Sequence, residues 1–319
     1  MAPKRVGQDL LQSKAKEPQR RFGIAEWYGR SFVHIPADER RAFAAGQLTE
    51  SRPSLPCPFL SRPGKIINCT KPSGICSLRQ YDRDGDGNVF PSAAGSSIRT
   101  TCPNRFDEDD IVYRWISSEL LSTEEALVVG EMPFLTPVSG ANQEIKKTGR
   151  EVGRIDRVLV VPGTKPLSWC PVEKQAVYFS GKKMQLDFTE MSHSKNDRLP
   201  FPTTIRRPDY RSSGPKRLMP QLQVKVPTLS RWGKKMAVVV DEDFFKNLGD
   251  IPPVNHLSNA EVVWFIVTYA EEGESIRLRP SRRVLTTLDA SVRGLIAAEA
   301  LPQDRFEEMI AGKAERLSR

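Results

Sequence analysis

A chain of 319 residues has room for one large domain or two moderate ones. Its 39% hydrophobic and 27% charged content excludes a wholly disordered polymer, and no apolar run nears the roughly 20 residues that span a bilayer. The net charge of +9 and pI of about 9.4 favour a polyanionic partner, because each Lys or Arg set on a phosphate releases condensed counterions. The N-terminal run Met1–Arg21 is charged and lacks the apolar core of a secretory signal, so a cytoplasmic protein is expected.

In chain order, residues 1–20 read as a basic mobile tail with Pro18 as a stop. An aromatic segment, Phe22–Gly29, precedes Pro36–Ala45, which has helix composition. Residues 53–103 are rich in Pro, Gly and Ser with little apolar periodicity, and so predict a long loop that needs an anchor. Asp107–Val129 shows helical spacing at Ile111, Trp115, Ile116, Leu120 and Leu121, with acids in its first turn. Val158–Val161 and Val172–Phe179 predict two strands joined across Pro162-Gly163. Lys195–Gln223 reads as a basic, Pro-rich connection, followed by a strand at Ala237–Val240 and the strongest strand of the chain at Val262–Tyr269. Helical patterns close the sequence at about Leu288–Ala298 and Asp304–Ala314. No internal repeat is visible.

Four cysteines supply the anchor for the loop: Cys57-x11-Cys69-x6-Cys76-x25-Cys102. Thiolates converging tetrahedrally suit zinc or iron, and none of the three histidines, His34, His193 and His256, lies among them. Cys-Pro begins both the Cys57 and the Cys102 motif, and Gly74 lets the chain turn sharply before Cys76. The bland alternative is four reduced, partly buried thiols. A fifth cysteine, Cys170, falls in a hydrophobic stretch and reads as a bystander. Within this region Asp82-Arg-Asp84-Gly-Asp86-Gly87-Asn88 resembles half a calcium loop. Ala93 stands where that loop requires a bidentate Glu, so a hydrated acidic turn is expected.

Phosphodiester cleavage needs carboxylates that hold Mg2+. In Glu173-Lys174-Gln175, strand alternation puts Glu173 and Gln175 on one face and Lys174 on the other. Asp156 would approach from the neighbouring strand, with Glu144 as a possible additional acid. The bland alternative is a pair of solvated edge acids. Around Tyr210, the residues Arg206, Arg207, Arg211, Lys216 and Arg217 form a basic run broken by Gly and Pro. It reads either as a solvated loop or as an arm closing on a duplex, with Ser212 and Ser213 adding hydrogen bonds.

These patches also carry a family likeness. Ile24-Ala-Glu-Trp-Tyr-Gly29, Cys57-Pro-Phe-Leu60, Gly74-Ile-Cys76, Cys102-Pro-Asn-Arg105 and Glu173-Lys-Gln-Ala-Val-Tyr-Phe-Ser-Gly181 resemble the NotI-like type II restriction endonucleases. The resemblance implies an α/β fold with a PD-(D/E)xK nuclease core over residues 111–319, its usual lysine replaced by Gln175. It implies a loop-rich four-cysteine metal-binding domain over 21–110, with Cys57, Cys69, Cys76 and Cys102 holding structural iron (zinc being the chemical alternative). It further implies Mg2+-dependent cleavage of double-stranded DNA at a palindrome by a homodimer, through Asp156, Glu173 and Gln175 with Glu144 as an addition. The host setting implied is a bacterial cytoplasm with a cognate DNA methyltransferase. Two departures stand out: the acidic turn around Asp84 is an insertion, and the Asp156–Glu173 stretch is short. The rival reading is a metal-containing DNA-binding regulator without catalysis.

Overall fold

Two sheets organise the chain, in a computed structural model that describes residues 19–49, 55–93, 98–135, 152–181, 183–297 and 301–317. The first is built on β1 (Gln19–Trp27), which pairs antiparallel with the short β2 (Arg30–Ser31) and with β3 (Ile75–Arg83); α1 (Ala37–Leu48) lies between them in sequence. β4 (Val89–Pro91) and β5 (Arg99–Thr100) pair with β3. Aromatic residues drive this packing. Trp27, Tyr28, Phe32 and Tyr81 are buried with Ile24, Ile75 and Leu78 in one cluster.

The second sheet has six strands in the order β15-β14-β13-β10-β9-β6. In chain order, α2 (Ile111–Leu121) leads to β6 (Leu127–Val129), the antiparallel pair β7 (Met132–Leu135) and β8 (Val152–Ile155), β9 (Arg157–Val161) and β10 (Ser168–Lys174). β11 (Phe179–Gly181), α3 (Gln185–His193), β12 (Arg206–Pro208), α4 (Tyr210–Ser213) and α5 (Met219–Arg231) form the crossover to β13 (Met236–Asp241). Then come α6 (Glu242–Lys246), β14 (Val262–Glu272), β15 (Ser275–Thr286), α7 (Leu288–Ile296) and α8 (Gln303–Leu317). The sheet is mixed: β10, β13 and β14 run parallel, while β6, β9 and β15 pair antiparallel.

Because β13 is central, both of its faces are covered. Ala237 and Val239 face α2 through Val112, Tyr113 and Ile116. Met236, Val238 and Val240 face α5 through Leu222, Val226 and Leu229. This alternation explains an unbroken apolar run in the sequence. No helix among the described residues is long and apolar enough to cross a membrane.

Several sequence expectations are corrected. Gln19 and Arg20 are not tail: they open β1, and Arg20 pairs with Asp82 at 2.8 Å. The expected loop of residues 53–103 contains β3, nine residues of mostly buried strand. It was hidden because Arg79 and Asp82 are buried on partners rather than exposed. The helix expected to reach Val129 stops at Leu121, where Ser122 adopts φ 56° and ends it; Leu127–Val129 is strand. Glycine and proline do not keep Lys195–Gln223 irregular. Asp209 caps a helix whose π-helical stretch Gly214–Leu218 runs directly into α5. Of the Asp82–Asn88 segment, Asp82 and Arg83 end β3 and the rest is the turn joining β3 to β4, closed by Asp84 Oδ1 accepting the Asn88 N–H at 2.7 Å.

Candidate active site and metal centre

Register decides which way the β10 side chains point. Val172 packs on the α2 side, so Glu173 turns toward α5 and Lys174 back toward α2. Lys174 Nζ donates to both oxygens of Asp107, at 2.9 and 2.7 Å, and both partners are buried. Tyr113 Oη donates to the same carboxylate. The Lys174 ammonium is therefore engaged by Asp107, although the residue itself borders the cleft. Glu173 instead meets Lys225 of α5, whose ammonium also donates to the backbone carbonyl of Arg154.

Asp156 stands between β8 and β9, and its Oδ2 accepts the Lys174 N–H at 2.9 Å. The two acids are thus neighbours. Burial, then the charge of Asp156, push the Glu173 carboxyl up to about 7, with Lys225 opposing. Past the end of β10, the Gln175 N–H still reaches Val239 O at 3.0 Å, and Gln175 Nε2 donates to Ala176 O at 2.6 Å. Asp156, Glu173 and Gln175 line one open cleft of about 630 Å³, with Arg157, Lys216 and Arg217 beside them. Glu144 lies outside the described residues.

The four N-terminal cysteines are free thiols, with Cys57 and Cys76 in one buried cluster and Cys69 packed against it. Cys57 and Cys69 lie on facing backbone: Cys57 N–H reaches Ile67 O at 2.7 Å, and Cys69 N–H reaches Leu55 O at 2.8 Å. Cys76 and Cys102 are joined directly, Cys102 N–H to Cys76 O at 3.1 Å. Burial raises the Cys57, Cys69 and Cys76 thiols, and the neighbouring thiols add to the rise in each case. Among the described residues no group of three or more His, Cys, Asp or Glu is placed to hold a metal ion, so the structure does not bring the four cysteines together as the expected ligand set. Gly74 is required before Cys76: its φ is +67°, and a Cβ there would lie 2.2 Å from the Tyr28 ring. Cys170 sits apart, buried in the core of the second sheet, its thiol pushed up to about 12 by burial.

A family model described as restriction endonuclease NotI matches residues 44–279, most of the chain. The chain belongs to that family. The match takes in the cleft acids and all four cysteines, and it makes the protein a nuclease whose partner is DNA. A search of curated proteins returned no match.

The sequence patches that carry this family's likeness meet in space. Arg105, from Cys102-Pro-Asn-Arg105, is fully buried and donates to both oxygens of Glu26 at 2.8–2.9 Å and to Glu108 at 2.7 Å. Its guanidinium lies over the rings of Phe59 and Tyr269, 4.6 and 4.8 Å from their centroids. Nη2 reaches Ile276 O at 2.9 Å, so one side chain joins β1, the Cys57 motif and the β14–β15 pair. Removing one partner of such a buried pair costs about 3–5 kcal/mol.

The basic run divides. Arg206, expected in the DNA-binding run, is buried and paired with Asp187, which holds β12 to α3. Arg207 and Arg211 are exposed and line a second cleft of about 460 Å³ with Tyr210 and Asn247. Lys216 and Arg217 are exposed on the Asp156–Glu173 cleft, and Arg217 stacks 4.1 Å from the Tyr178 ring centroid. Both serine hydroxyls are taken: Ser212 Oγ donates to Asp209 Oδ2, and Ser213 Oγ to Asp209 O, each at 2.8 Å. Sequence reasoning missed Lys225, Asp107 and Tyr178. For Lys225 a signal existed, since it occupies the buried stripe Leu222, Lys225, Val226, Leu229 at helical spacing.

Proposed function

We propose that this chain is a type II site-specific endonuclease that hydrolyses phosphodiester bonds of double-stranded DNA with Mg2+, through Asp156, Glu173 and Gln175. The observation that carries this is the convergence of two adjacent carboxylates with a glutamine amide in one cleft edged by Arg157, Lys216 and Arg217. The donor set fits the cation. Two carboxylates that repel each other are relieved by a hard cation with oxygen ligands, and restriction endonucleases generally use Mg2+. Bound there, Mg2+ would neutralise phosphate charge and acidify the attacking water.

The chain's own groups have distinct tasks. Asp156 and Glu173 present the oxygens. Gln175, having no titratable proton, cannot be a general base and instead orients water or phosphate by hydrogen bonding. Lys174, held by Asp107, does not take the place that a lysine fills in related nuclease sites. Lys216 and Arg217 set the phosphate backbone over the acids, acting as fixed charges. A palindromic site read by a two-fold homodimer is the arrangement that lets one such cleft act on each strand. Glu144 remains a further candidate ligand in this reading.

Cys57, Cys69, Cys76 and Cys102 are assigned in this reading to a structural iron or zinc. Its support is that the Cys57, Cys69 and Cys76 thiols each feel the charge of Cys102, with the buried Lys71 ammonium near Cys69, Cys76 and Cys102. Cleavage of host DNA would be prevented by a cognate methyltransferase in a bacterial cytoplasm. Incubating the purified protein with phage DNA and Mg2+ tests the function. Discrete fragments, abolished in Glu173→Ala, support an endonuclease; gel shifts without cutting support a non-catalytic regulator.

A further inference from the structure

Lys225 lies against the active site without opening onto it. It is 1% exposed and belongs to the buried stripe of α5 together with Leu222, Val226 and Leu229. Its ammonium meets the Glu173 carboxylate and the Arg154 backbone carbonyl. Arg154 is two residues before Asp156, so one cation joins the backbone leading to the first acid with the side chain of the second. Lys225 does not line the cleft, whereas Asp156, Glu173 and Gln175 do.

We propose that Lys225 is a positioning residue that fixes the spacing of the Asp156 and Glu173 carboxylates and thereby sets the divalent-cation affinity of the site. The inference rests on the reading of those two acids as cation ligands. Glu173 has three side-chain torsions and a like charge beside it, so without a tie its carboxylate would turn away from Asp156. An ammonium on Glu173 Oε1 opposes that motion from the α5 side. A lysine on the surface could not do this, because its stem would move; the apolar stripe holds this one. Asp156 is fixed from the other side by the Lys174 N–H, so the two ligands are set by separate ties to adjoining backbone.

The test uses the full-length protein bound to a duplex that it cuts, with Ca2+ titrated calorimetrically so that affinity is read without turnover. Lys225→Met should weaken Ca2+ binding about 10–100-fold, the usual range for groups that orient metal ligands, with a matching rise in the Mg2+ needed for half-maximal cleavage. Metal-free duplex affinity should not change. Lys225→Arg, which keeps the donors, should fall between. Lys225→Met leaves Glu173 buried without a counter-charge and can fail to fold, so Glu173→Gln/Lys225→Met provides a second route. In the Glu173→Gln background, adding Lys225→Met should cost much less affinity than it costs in the wild type. Equal losses in both backgrounds, or unchanged Ca2+ affinity in folded Lys225→Met, overturn the proposal. If the wild-type complex binds no Ca2+, or Asp156→Ala binds it undiminished, the ligand assignment itself fails, and that outcome is distinct from failure of the clamp.

Discussion

Asp156 Oδ2 accepts the backbone N–H of Lys174 at 2.9 Å, so the strand that carries Glu173 also holds the other acid. Asp156→Asn keeps an acceptor oxygen and removes the charge, whereas Asp156→Ala removes both. Both variants should lose cleavage by about 10²–10³-fold or more, as expected when a group stabilising developing charge is removed. Only Asp156→Ala should also lower the melting temperature, because it alone leaves the Lys174 N–H without its partner. Plasmid cleavage time courses in Mg2+ and thermal melts check this. Cutting at the normal rate by Asp156→Asn would transfer the ligand role to another acid, Glu144 being the first to try.

Strands with strong hydrophobic character were legible from sequence, because burial on both faces demands runs such as Ala237–Val240 and Val262–Tyr269. The opposite orientations of Glu173 and Lys174 were also legible, since period-two alternation fixes them once the strand is found. β3 and the Tyr210–Arg231 helix were not. In each, charged residues occupy buried positions: Arg79 on Glu271, Asp82 on Arg20, Lys225 on Glu173. A polar residue satisfied by a distant partner looks, in sequence, like a solvated one. Arg206 shows the converse error. Its place in a basic run suggested solvent and phosphate, but Asp187, nineteen residues earlier, holds it in the interior.

Loss of one thiol should be felt far more at the four-cysteine cluster than in the sheet core. Cys76→Ala should lower the iron or zinc content of the purified protein and its solubility, because the metal would tie the Cys57 and Cys69 loops to β3. Cys170→Ala removes a small buried group in β10 and should leave metal content unchanged, with a modest fall in stability. Elemental analysis decides. One metal per chain retained in Cys76→Ala would return these residues to the status of buried thiols.

The basic residues should separate by salt dependence. Neutralising Lys216 and Arg217 should weaken duplex binding and lower the log–log salt slope by about 0.9 for every phosphate that no longer meets a cation. Arg207 and Arg211, on the neighbouring cleft, should give the same signature if the duplex extends that far. Arg206→Ala should behave differently: the slope stays, while the melting temperature falls, because Asp187 is left buried without its cationic partner, keeping only Thr203 and Thr204. Fluorescence anisotropy over a salt series, with parallel melts, distinguishes the two classes. A reduced slope in folded Arg206→Ala would show that this arginine reaches DNA after all.

Asp241 ends β13 and accepts the Phe244 N–H through Oδ1 and the Thr100 N–H through Oδ2, each at 2.8 Å. It thereby ties the central strand of the second sheet to β5, two residues before Cys102. Burial pushes its carboxyl from the ordinary 3.8 up to about 6, against the pull of those two N–H groups. Below about pH 4 the group is protonated whether the chain is folded or not, and its favourable contribution is complete. Between about pH 4 and 6 the unfolded chain ionises while the folded one resists, so that contribution is lost as pH rises. The shift corresponds to about 3 kcal/mol, fully lost above roughly pH 6. Asp241→Asn abolishes the titration, so its stability should fall less steeply than the wild type's from pH 4 to 6. Urea midpoints at half-unit pH intervals provide the comparison, and the slopes matter more than the absolute values because Asn supplies only one acceptor oxygen for two donors. Parallel curves for the two proteins would mean that Asp241 titrates alike in both states, and that its buried position is better solvated than its surroundings indicate.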